Sequence, residues 1–395
     1  MSSLKQKCVK NKKRVLIVVP SFSIGGTIVS LQSLLSVIDT NKYEIDIFAL
    51  ARQGVYLDKL SNCSILPENF WLSHRYYGKN RLKRIGNRIL RLCCSVFSRL
   101  GLSIEPFMCK IADKYINFSL YDTIINYSES IANIVCYYPA KKRIAWVHCD
   151  YERYLTIVKR NEEKVYEYYD TVVCVSEFAK SKFCDCLPQM AAKTVAIHNV
   201  INADEIRSKA QEPIDDPKFV TDGFTIVSAG RLDPVKQFHL IPKLAADIKK
   251  KTDKKFIWYI IGGNRGFESY VDGIRKDIVD LGVSEEVVML GEKNNVYPYM
   301  AKADLYVSTS LSESFPLVIN EAKALGIPVV SNNFGSATES VLEGVDGFVV
   351  SLNDGAMRDR IVAILSGQLE LQTRNNDEVV KSRNQQIINR IGELL

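Results

Sequence analysis

Residues 311–330 have the sequence LSESFPLVINEAKALGIPVV, which contains a loop, a helix and a strand in close succession. Pro316 suits the first turn of a helix, so we expect Glu313 just before that helix and Glu321 one to two turns inside it. A strand is predicted to follow at Pro328–Val330, which is the order of elements in a parallel α/β sheet. At a rise of about 1.5 Å per residue, the positions of the two glutamates are separated by roughly 12 Å.

The same alternation of short β-branched runs with segments of helical period extends through both halves of the chain. In the first half we predict a helix at Thr27–Ile38 and strands at Arg14–Pro20, Glu44–Leu50, Thr123–Asn126, Arg143–Val147, Thr171–Val175 and Val195–Ile197. In the second half we predict strands at Thr225–Ser228, Phe256–Ile261, Val287–Leu290, Leu305–Val307, Pro328–Val330 and Gly347–Val350. The predicted fold class is α/β, with two doubly wound parallel sheets facing each other across a cleft and the chemistry in loops that follow strands.

The segment Ala203–Gly223 is polar and acidic, and it has no sustained apolar period. We place the domain boundary there. The sequence therefore predicts an N-terminal domain at 1–202, a second domain at 203–375 and a C-terminal helix at 376–395, for which packing back on the first domain is one arrangement.

The composition is that of a globular protein with two domains. Of 395 residues, 47% are apolar and 25% are charged, which excludes disordered, collagen-like and membrane-spanning classes. The apolar run VLIVVP after the basic start is too short for a signal sequence, so no secretion is implied. The ten cysteines lack the spacing of zinc ligands and are expected to be reduced thiols of a cytoplasmic protein.

Two loops after predicted strands have the chemistry of anion sites. Gly25 and Gly26, in SFSIGGT, let a ligand approach the backbone at the start of a helix, although a tight turn is the alternative. Arg231 and Lys236, in SAGRLDPVKQ, are two cations suited to two phosphates, although a turn with exposed charges is the alternative. The carboxylates of Glu313 and Glu321 could accept hydrogen bonds from the hydroxyls of a nucleotide sugar. A solvated helix start is the alternative there.

Arg231, Lys236, Glu313 and Glu321, in this order on successive strand ends, resemble the second domain of the retaining glycosyltransferases of family 4, which have the GT-B fold. The resemblance extends from Arg14 to Val350 and includes AIHNVI at 196–201 and GVDGFVV at 344–350. It implies transfer of a hexose or N-acetylhexosamine from a nucleotide diphosphate sugar, with a UDP-sugar favoured. The acceptor would be a saccharide or a lipid-linked sugar, and the transferred sugar would keep its anomeric configuration. The reaction would belong to polysaccharide or glycolipid biosynthesis.

The resemblance also implies roles for individual residues. Arg231 and Lys236 would bind the diphosphate, Glu313 would contact the sugar hydroxyls and Glu321 would hold the ribose. Further donor contacts are expected at Gly25, Gly26, Gly263, Glu292, Lys293, Phe315, Leu317 and Val318.

His148, in IAWVHCDYERY, is the remaining catalytic candidate beside Glu313, because the resembling family has a histidine near the donor sugar at this place. Asp150 is a candidate to orient it, and a buried or capping histidine is the alternative. His198, in AIHN, is assigned to the domain junction.

Three positions depart from the family pattern. Gln237 and Ser314 stand where glycine is usual, and GGNRG at 262–266 replaces a Gly-Asp-Gly turn. These departures leave the charged contacts in place and bear on donor identity rather than on activity. Since the chain has no Asp-x-Asp pair in a metal-binding loop, we expect catalysis without a metal ion or other cofactor.

The stretch 75–100, RYYGKNRLKRIGNRILRLCCSVFSRL, predicts a basic amphipathic helix. Between Asn69 and Ile104 there are eight Lys or Arg and no acidic residue. The pattern favours an anionic membrane or a lipid-pyrophosphate acceptor, and with it a position at the inner face of the membrane. No nucleic-acid motif accompanies the charge, and a solvated helix face is the alternative. The residues expected at this surface are Arg81, Lys83, Arg84, Arg88 and Arg91.

Two other functional classes stay open. Another GT-B enzyme, such as a nucleotide-sugar epimerase or a phosphorylase, would share the fold but need different acid-base groups or a cofactor lysine. A non-catalytic scaffold subunit that binds sugar nucleotides is the second. Such a subunit would more readily have lost one of the four charged residues, all of which are present here.

Overall fold

The computed structural model describes residues 12–23, 25–69, 71–72, 105–158, 162–264, 266–352, 355–369, 371 and 377–395. The chain forms two compact units. The first contains residues 1–175, 179–200 and 387–395, and the second contains residues 176–178 and 201–386. The final helix is thus divided between the units at 386/387.

The first unit is built on a seven-stranded parallel sheet with the order β3-β2-β1-β4-β5-β6-β7. Its strands are β1 (Lys13–Ser21), β2 (Tyr43–Ala51), β3 (Ser64–Ile65), β4 (Thr123–Asn126), β5 (Arg143–Val147), β6 (Thr171–Cys174) and β7 (Thr194–Ala196). Its helices are α1 (Gly26–Val37), α2 (Glu105–Ile116), α3 (Ala132–Val135), α4 (Tyr151–Val158) and α5 (Glu177–Cys186). The strand order reverses between β1 and β4, and in doubly wound sheets ligands commonly bind at the carboxyl ends of the strands beside such a reversal.

Continuous apolar runs place β1 and its neighbours in the centre of the first unit. Residues 15–19 of β1 are fully buried because helices cover both faces of a parallel sheet. One face packs Leu16, Val18 and Ile124 against aromatic residues that include Phe118 and Tyr138.

The second unit is built on a six-stranded parallel sheet with the order β10-β9-β8-β11-β12-β13. Its strands are β8 (Phe224–Ala229), β9 (Phe256–Ile261), β10 (Val287–Gly291), β11 (Leu305–Ser308), β12 (Val329–Asn332) and β13 (Gly347–Val350). The helices that follow α5 along the chain are α6 (Ala203–Ala210), α7 (Ile241–Lys249), α8 (Glu268–Asp280), α9 (Tyr297–Met300), α10 (Leu317–Ala324), α11 (Ala337–Ser340), α12 (Ala356–Leu365) and α13 (Asp377–Leu394). Consecutive residues of β8, such as Ile226 and Val227, enter two separate apolar clusters, so this sheet is also covered on both faces.

The predicted pair of doubly wound parallel sheets is confirmed, and the predicted strands agree with the observed ones to within a residue or two at each end. The two-residue strand β3 was not predicted. Helix α6 begins at Ala203, in the segment where the sequence has no sustained apolar period. The Asn202 side chain caps it by accepting a hydrogen bond from the Glu205 amide at 3.1 Å.

The basic stretch 75–100, with Arg81, Lys83, Arg84, Arg88 and Arg91, lies outside the described residues. Among the helices within the described ranges, none combines the length and apolar content needed to cross a membrane.

Candidate active site

The first part of the site is the turn that follows β8. Asp233 lies at its centre and is buried, and its side chain accepts hydrogen bonds from the amides of Val235 and Lys236 at 3.0 and 3.2 Å. The same carboxylate forms an ion pair with Arg231, with 3.0 Å between Oδ2 and Nη2. Gln237 ends the turn at φ 51° and ψ 32°, in the left-handed region that favours glycine. This geometry explains why glycine is usual there in the resembling family.

Lys236 and Glu313 are brought together from loops that are distant in sequence. The Lys236 ammonium forms an ion pair with Oε1 of Glu313, and the two side chains are 16% and 18% exposed. The Thr309 hydroxyl donates to the carbonyl oxygen of Lys236 at 2.7 Å, which ties the β8 turn to the end of β11. The two charged groups are therefore positioned by the carboxyl ends of neighbouring strands.

Small buried polar residues hold Glu313 in place. The Ser310 hydroxyl donates to Glu313 Oε1 at 3.0 Å, and the Ser336 hydroxyl donates to the Glu313 carbonyl oxygen at 2.7 Å. Asn332, at the end of β12, donates to the carbonyl oxygen of Ser310 at 2.8 Å. Sequence reasoning missed these three residues, because small polar residues occur in any loop and nothing in the sequence marks these ones as partners of Glu313.

Helix α10 begins at Leu317, with Pro316 as the residue before its first turn. Amides in the first turn of a helix have no partner within it, so those of Leu317 and Val318 can donate to a bound anion. Phe315, just before the helix, is buried, and the Arg383 guanidinium lies 5.8 Å from its ring centroid.

Glu321 lies in the second turn of α10 and is only 7% exposed. The Tyr297 hydroxyl donates to its Oε1 at 3.1 Å. Burial raises the pKa of Glu321 to about 7, while the Tyr297 hydrogen bond and the nearby charge of Lys236 lower it by less. The site therefore holds a carboxyl group that titrates near neutral pH.

The loops after β8 and β9 touch each other at glycines. A Cβ on Gly262 would lie 1.8 Å from the carbonyl oxygen of Gly230, so this close approach requires glycine. A Cβ on Gly263 would lie 2.7 Å from Glu292 Oε2, which follows β10. Lys293 forms an ion pair with Asp216 at 2.6 Å between Nζ and Oδ2. Gly263, Glu292 and Lys293 thus share the carboxyl edge of the sheet with Arg231.

His148 follows β5 in the first unit. Its amide donates to Glu129 Oε2 at 3.1 Å, and its ring packs 4.8 Å from the Tyr127 ring. Its Nε2 is enclosed without a hydrogen-bond partner among the described residues, and burial lowers the pKa of His148 to about 3. The side chain of Asp150 accepts from the Arg153 amide at 3.3 Å. Asp150 therefore caps α4, and the carboxylate that contacts His148 belongs to Glu129.

Gly25 and Gly26 also lie in the first unit, where Gly25 precedes the first turn of α1 and Gly26 begins it. A Cβ on Gly25 would meet no atom within 4 Å, and its φ of 175° is open to any residue. The predicted residues of the second unit therefore share one sheet edge, whereas His148, Gly25 and Gly26 belong to loops of the other sheet.

Comparison with known proteins gives a family match in the second half of the chain. Residues 210–380 match the family model described as glycosyl transferases group 1. A relative in Campylobacter jejuni, N-acetylgalactosamine-N,N'-diacetylbacillosaminyl-diphospho-undecaprenol 4-alpha-N-acetylgalactosaminyltransferase, is 33% identical over 161 residues, which cover 40% of this chain and 39% of the relative. The lipopolysaccharide core biosynthesis glycosyltransferase LpsE of Rhizobium meliloti is 28% identical over 168 residues, which cover 42% of this chain and 45% of LpsE. The chain thus matches less than half the length of either relative.

Solved structures similar to this chain cover nearly all of it. HepE of Anabaena, in complex with UDP and glucose, gives a TM-score of 0.69 at 17% identity over 96% of this chain and 98% of HepE. Sucrose-phosphate synthase of Thermosynechococcus elongatus gives 0.67 at 16% identity over 97% of this chain and 98% of the synthase. At this identity the likeness concerns the fold alone, and the predicted GT-B fold is confirmed.

Proposed function

We propose that the chain is a glycosyltransferase that uses a nucleotide diphosphate sugar, because residues 210–380 match the family model described as glycosyl transferases group 1. The observation that carries this proposal is the Lys236–Glu313 ion pair beside the first turn of α10, the helix that also holds Glu321. The Glu321 carboxylate suits the ribose of such a donor, the Lys236 ammonium and the amides in the first turn of α10 suit the diphosphate, and the Glu313 carboxylate suits the sugar.

In this proposal, Lys236 and Arg231 bind the diphosphate together with the amides near Phe315, Leu317 and Val318. Glu313 accepts hydrogen bonds from the sugar, and Glu321 accepts them from the ribose. The loops with Gly263, Glu292 and Lys293 receive the base. His148, Gly25 and Gly26 act in the same reaction from the first unit.

The donor we favour is a UDP-sugar, which is supported by the UDP bound to HepE, a protein of the same fold. The acceptor we favour is a saccharide on a lipid carrier, because the name of the Campylobacter relative contains a diphospho-undecaprenol and that of the Rhizobium relative refers to lipopolysaccharide core biosynthesis. The chain would then act at the cytoplasmic face of a membrane in the assembly of a polysaccharide or glycolipid.

The chemistry we propose retains the anomeric configuration and proceeds without a divalent metal ion. In this proposal the donors of Arg231 and Lys236 and the amides in the first turn of α10 bind the diphosphate oxygens that a metal ion would otherwise hold. The donor phosphate would accept the proton of the acceptor hydroxyl on the same face of the sugar. Activity that survives EDTA and an NMR assignment of a retained anomer would support this chemistry. Restoration by manganese after EDTA, or an inverted anomer, would contradict it.

A thermal-shift screen with UDP-, GDP- and ADP-glucose tests the proposed donor class. A ligand that binds the native state raises the melting temperature by mass action. At a ligand concentration of about 100 times Kd, the free energy of unfolding increases by about 2.7 kcal/mol. We expect one nucleotide sugar to produce a clear shift that the Lys236→Ala variant loses. No shift with any of the three would contradict the proposed function.

A further inference from the structure

Both cations of the proposed diphosphate site already have carboxylate partners. Arg231 pairs with Asp233 at 3.0 Å, and Lys236 pairs with Glu313. The formal charges of these four side chains cancel. An anion that binds these cations will therefore lie beside the two carboxylates. It is repelled by them unless the ligand also donates hydrogen bonds to them.

The two carboxylates differ in how firmly they are held. Asp233 is 5% exposed at its side chain and also accepts from two backbone amides of its own turn, so it is part of the local fold. Glu313 is 18% exposed, and its Oε1 accepts from the Ser310 hydroxyl at 3.0 Å in addition to the Lys236 ammonium. Glu313 is the carboxylate that an incoming ligand would meet.

We propose that Glu313 makes this site select a nucleotide sugar over the free nucleoside diphosphate, and thereby favours release of the product after transfer. The inference rests on the proposed function. A phosphate oxygen that binds the Lys236 ammonium comes close to the Glu313 carboxylate, because the two groups are in contact. Like charges brought together at a partly buried site repel each other strongly.

The two ligands differ in how they answer this repulsion. The phosphate next to the sugar carries one negative charge, and the sugar hydroxyls donate hydrogen bonds to a carboxylate. The terminal phosphate of a free diphosphate gains a second charge above a pKa of about 6 and brings no sugar hydroxyl. Glu313 therefore penalises the product more than the donor.

The isosteric variant Glu313→Gln isolates the charge, because its amide oxygen still accepts from Ser310. Isothermal titration calorimetry at pH 7.5 compares UDP with UDP-glucose, and the same pairs for GDP and ADP, on the full chain. We expect the free diphosphate to bind the variant about five- to tenfold more tightly than the wild type. We expect the nucleotide sugar to bind no more tightly than before.

A second measurement at pH 5.5 separates the charge from any change in shape. At this pH the terminal phosphate is largely singly charged. The affinity of Glu313→Gln for the free diphosphate, divided by that of the wild type, should therefore approach one. The exposed Glu268→Gln, in the first turn of α8, is the matched control and should leave all affinities unchanged.

Unchanged or weaker binding of the free diphosphate by Glu313→Gln, or an equal gain for both ligands, would overturn the inference while leaving the proposed function intact. A gain that is the same at both pH values would also overturn it. If no nucleotide binds the wild type, the proposed function and the inference fall together.

Discussion

At the scale of single residues, the buried carboxyl group of Glu321 makes stability depend on pH. Its pKa is raised from 4.5 to about 7 in the folded chain, so folding favours the protonated form. The stabilisation is fully present below pH 4.5 and is lost as the pH rises through 7. Between pH 4.5 and 8 the free energy of unfolding of the wild type should therefore fall by about 3 kcal/mol relative to that of Glu321→Gln. One pKa unit corresponds to about 1.4 kcal/mol.

Urea unfolding of both proteins across this pH range measures the difference. The exposed Glu343→Gln is the control for removal of a carboxylate from the same unit. Its stability should follow the wild type at every pH. Parallel curves for the wild type and Glu321→Gln would show that the carboxyl group ionises without a cost in the folded chain.

The two cations of the site should differ in their importance for donor binding. Lys236→Ala should weaken binding of the nucleotide sugar at least about tenfold, since a charge-assisted hydrogen bond contributes about 1.5–3 kcal/mol. Arg231→Ala should weaken it less, because the Arg231 side chain is 64% exposed and that of Lys236 is 16% exposed. Calorimetry measures both, with the exposed Lys254→Ala as the control. Equal affinities in all four proteins would contradict the proposal that the diphosphate binds at this turn.

The charged residues of the site could be predicted from the sequence, and their supports could not. Arg231, Lys236 and Glu313 are charged side chains in loops that follow predicted strands, and Glu321 lies in the helix after such a loop. Ser310, Asn332 and Ser336 are small polar residues that occur in any loop. The hydrogen bond from Asn332 to Ser310 exists only once β11 and β12 lie side by side.

At the scale of elements, α13 fastens the chain where α6 begins. The Asn384 side chain accepts from the Ile201 amide at 3.2 Å and donates to the Ile201 carbonyl oxygen at 2.8 Å. Asn384→Ala should lower the free energy of unfolding by about 1–3 kcal/mol, because the Ile201 amide loses its partner and the Ile201 carbonyl keeps only the hydrogen bond from the Ala203 amide. Hydrogen exchange at the Ile201 amide should quicken in the same variant.

Two further variants of α13 define this effect. Asn384→Asp keeps the acceptor for the Ile201 amide and loses the donor, so it should fall between the wild type and the alanine variant. Gln386→Ala changes an exposed residue of the same helix and should have no effect. Equal exchange at Ile201 in all four proteins would mean that other contacts hold this segment.

The elements that could be predicted are those whose local pattern agrees with their burial. The strands β1 and β9 contain continuous apolar runs, and they form where the sequence places them. Helix α6 has only Ala203 and Ile206 buried, which is too little apolar surface to give a period. Strand β3 has two residues and depends entirely on its pairing with β2.

At the scale of the whole molecule, the net charge of +7 and the basic stretch 75–100 predict attachment to anionic membranes. Each Lys or Arg near such a surface contributes about 1 kcal/mol, screened over about 8 Å at physiological salt. The quadruple variant with Arg81, Lys83, Arg84 and Arg88 changed to Glu should no longer sediment with liposomes that contain anionic lipid. High salt should release the wild type in the same way.

The variant must remain folded for this result to count, so its circular dichroism and its donor affinity are measured alongside. The residues that we propose to bind the donor lie mainly in the second unit, so the affinity of the variant for the nucleotide sugar should equal that of the wild type. Sedimentation equal to that of the wild type would assign the basic stretch to a solvated helix face.

The contact between Gly262 and Gly230 has a consequence for anyone who wishes to evolve a new donor preference. A Cβ at Gly262 would collide with backbone, which no rotamer change can relieve, so the loop that carries Arg231 would have to move. In a library that randomises the loop after β9, nearly every variant with a substitution at Gly262 would be inactive. Diversity is better placed at Ser314, where this sequence already differs from the family pattern and the backbone is not in the left-handed region that restricts Gln237.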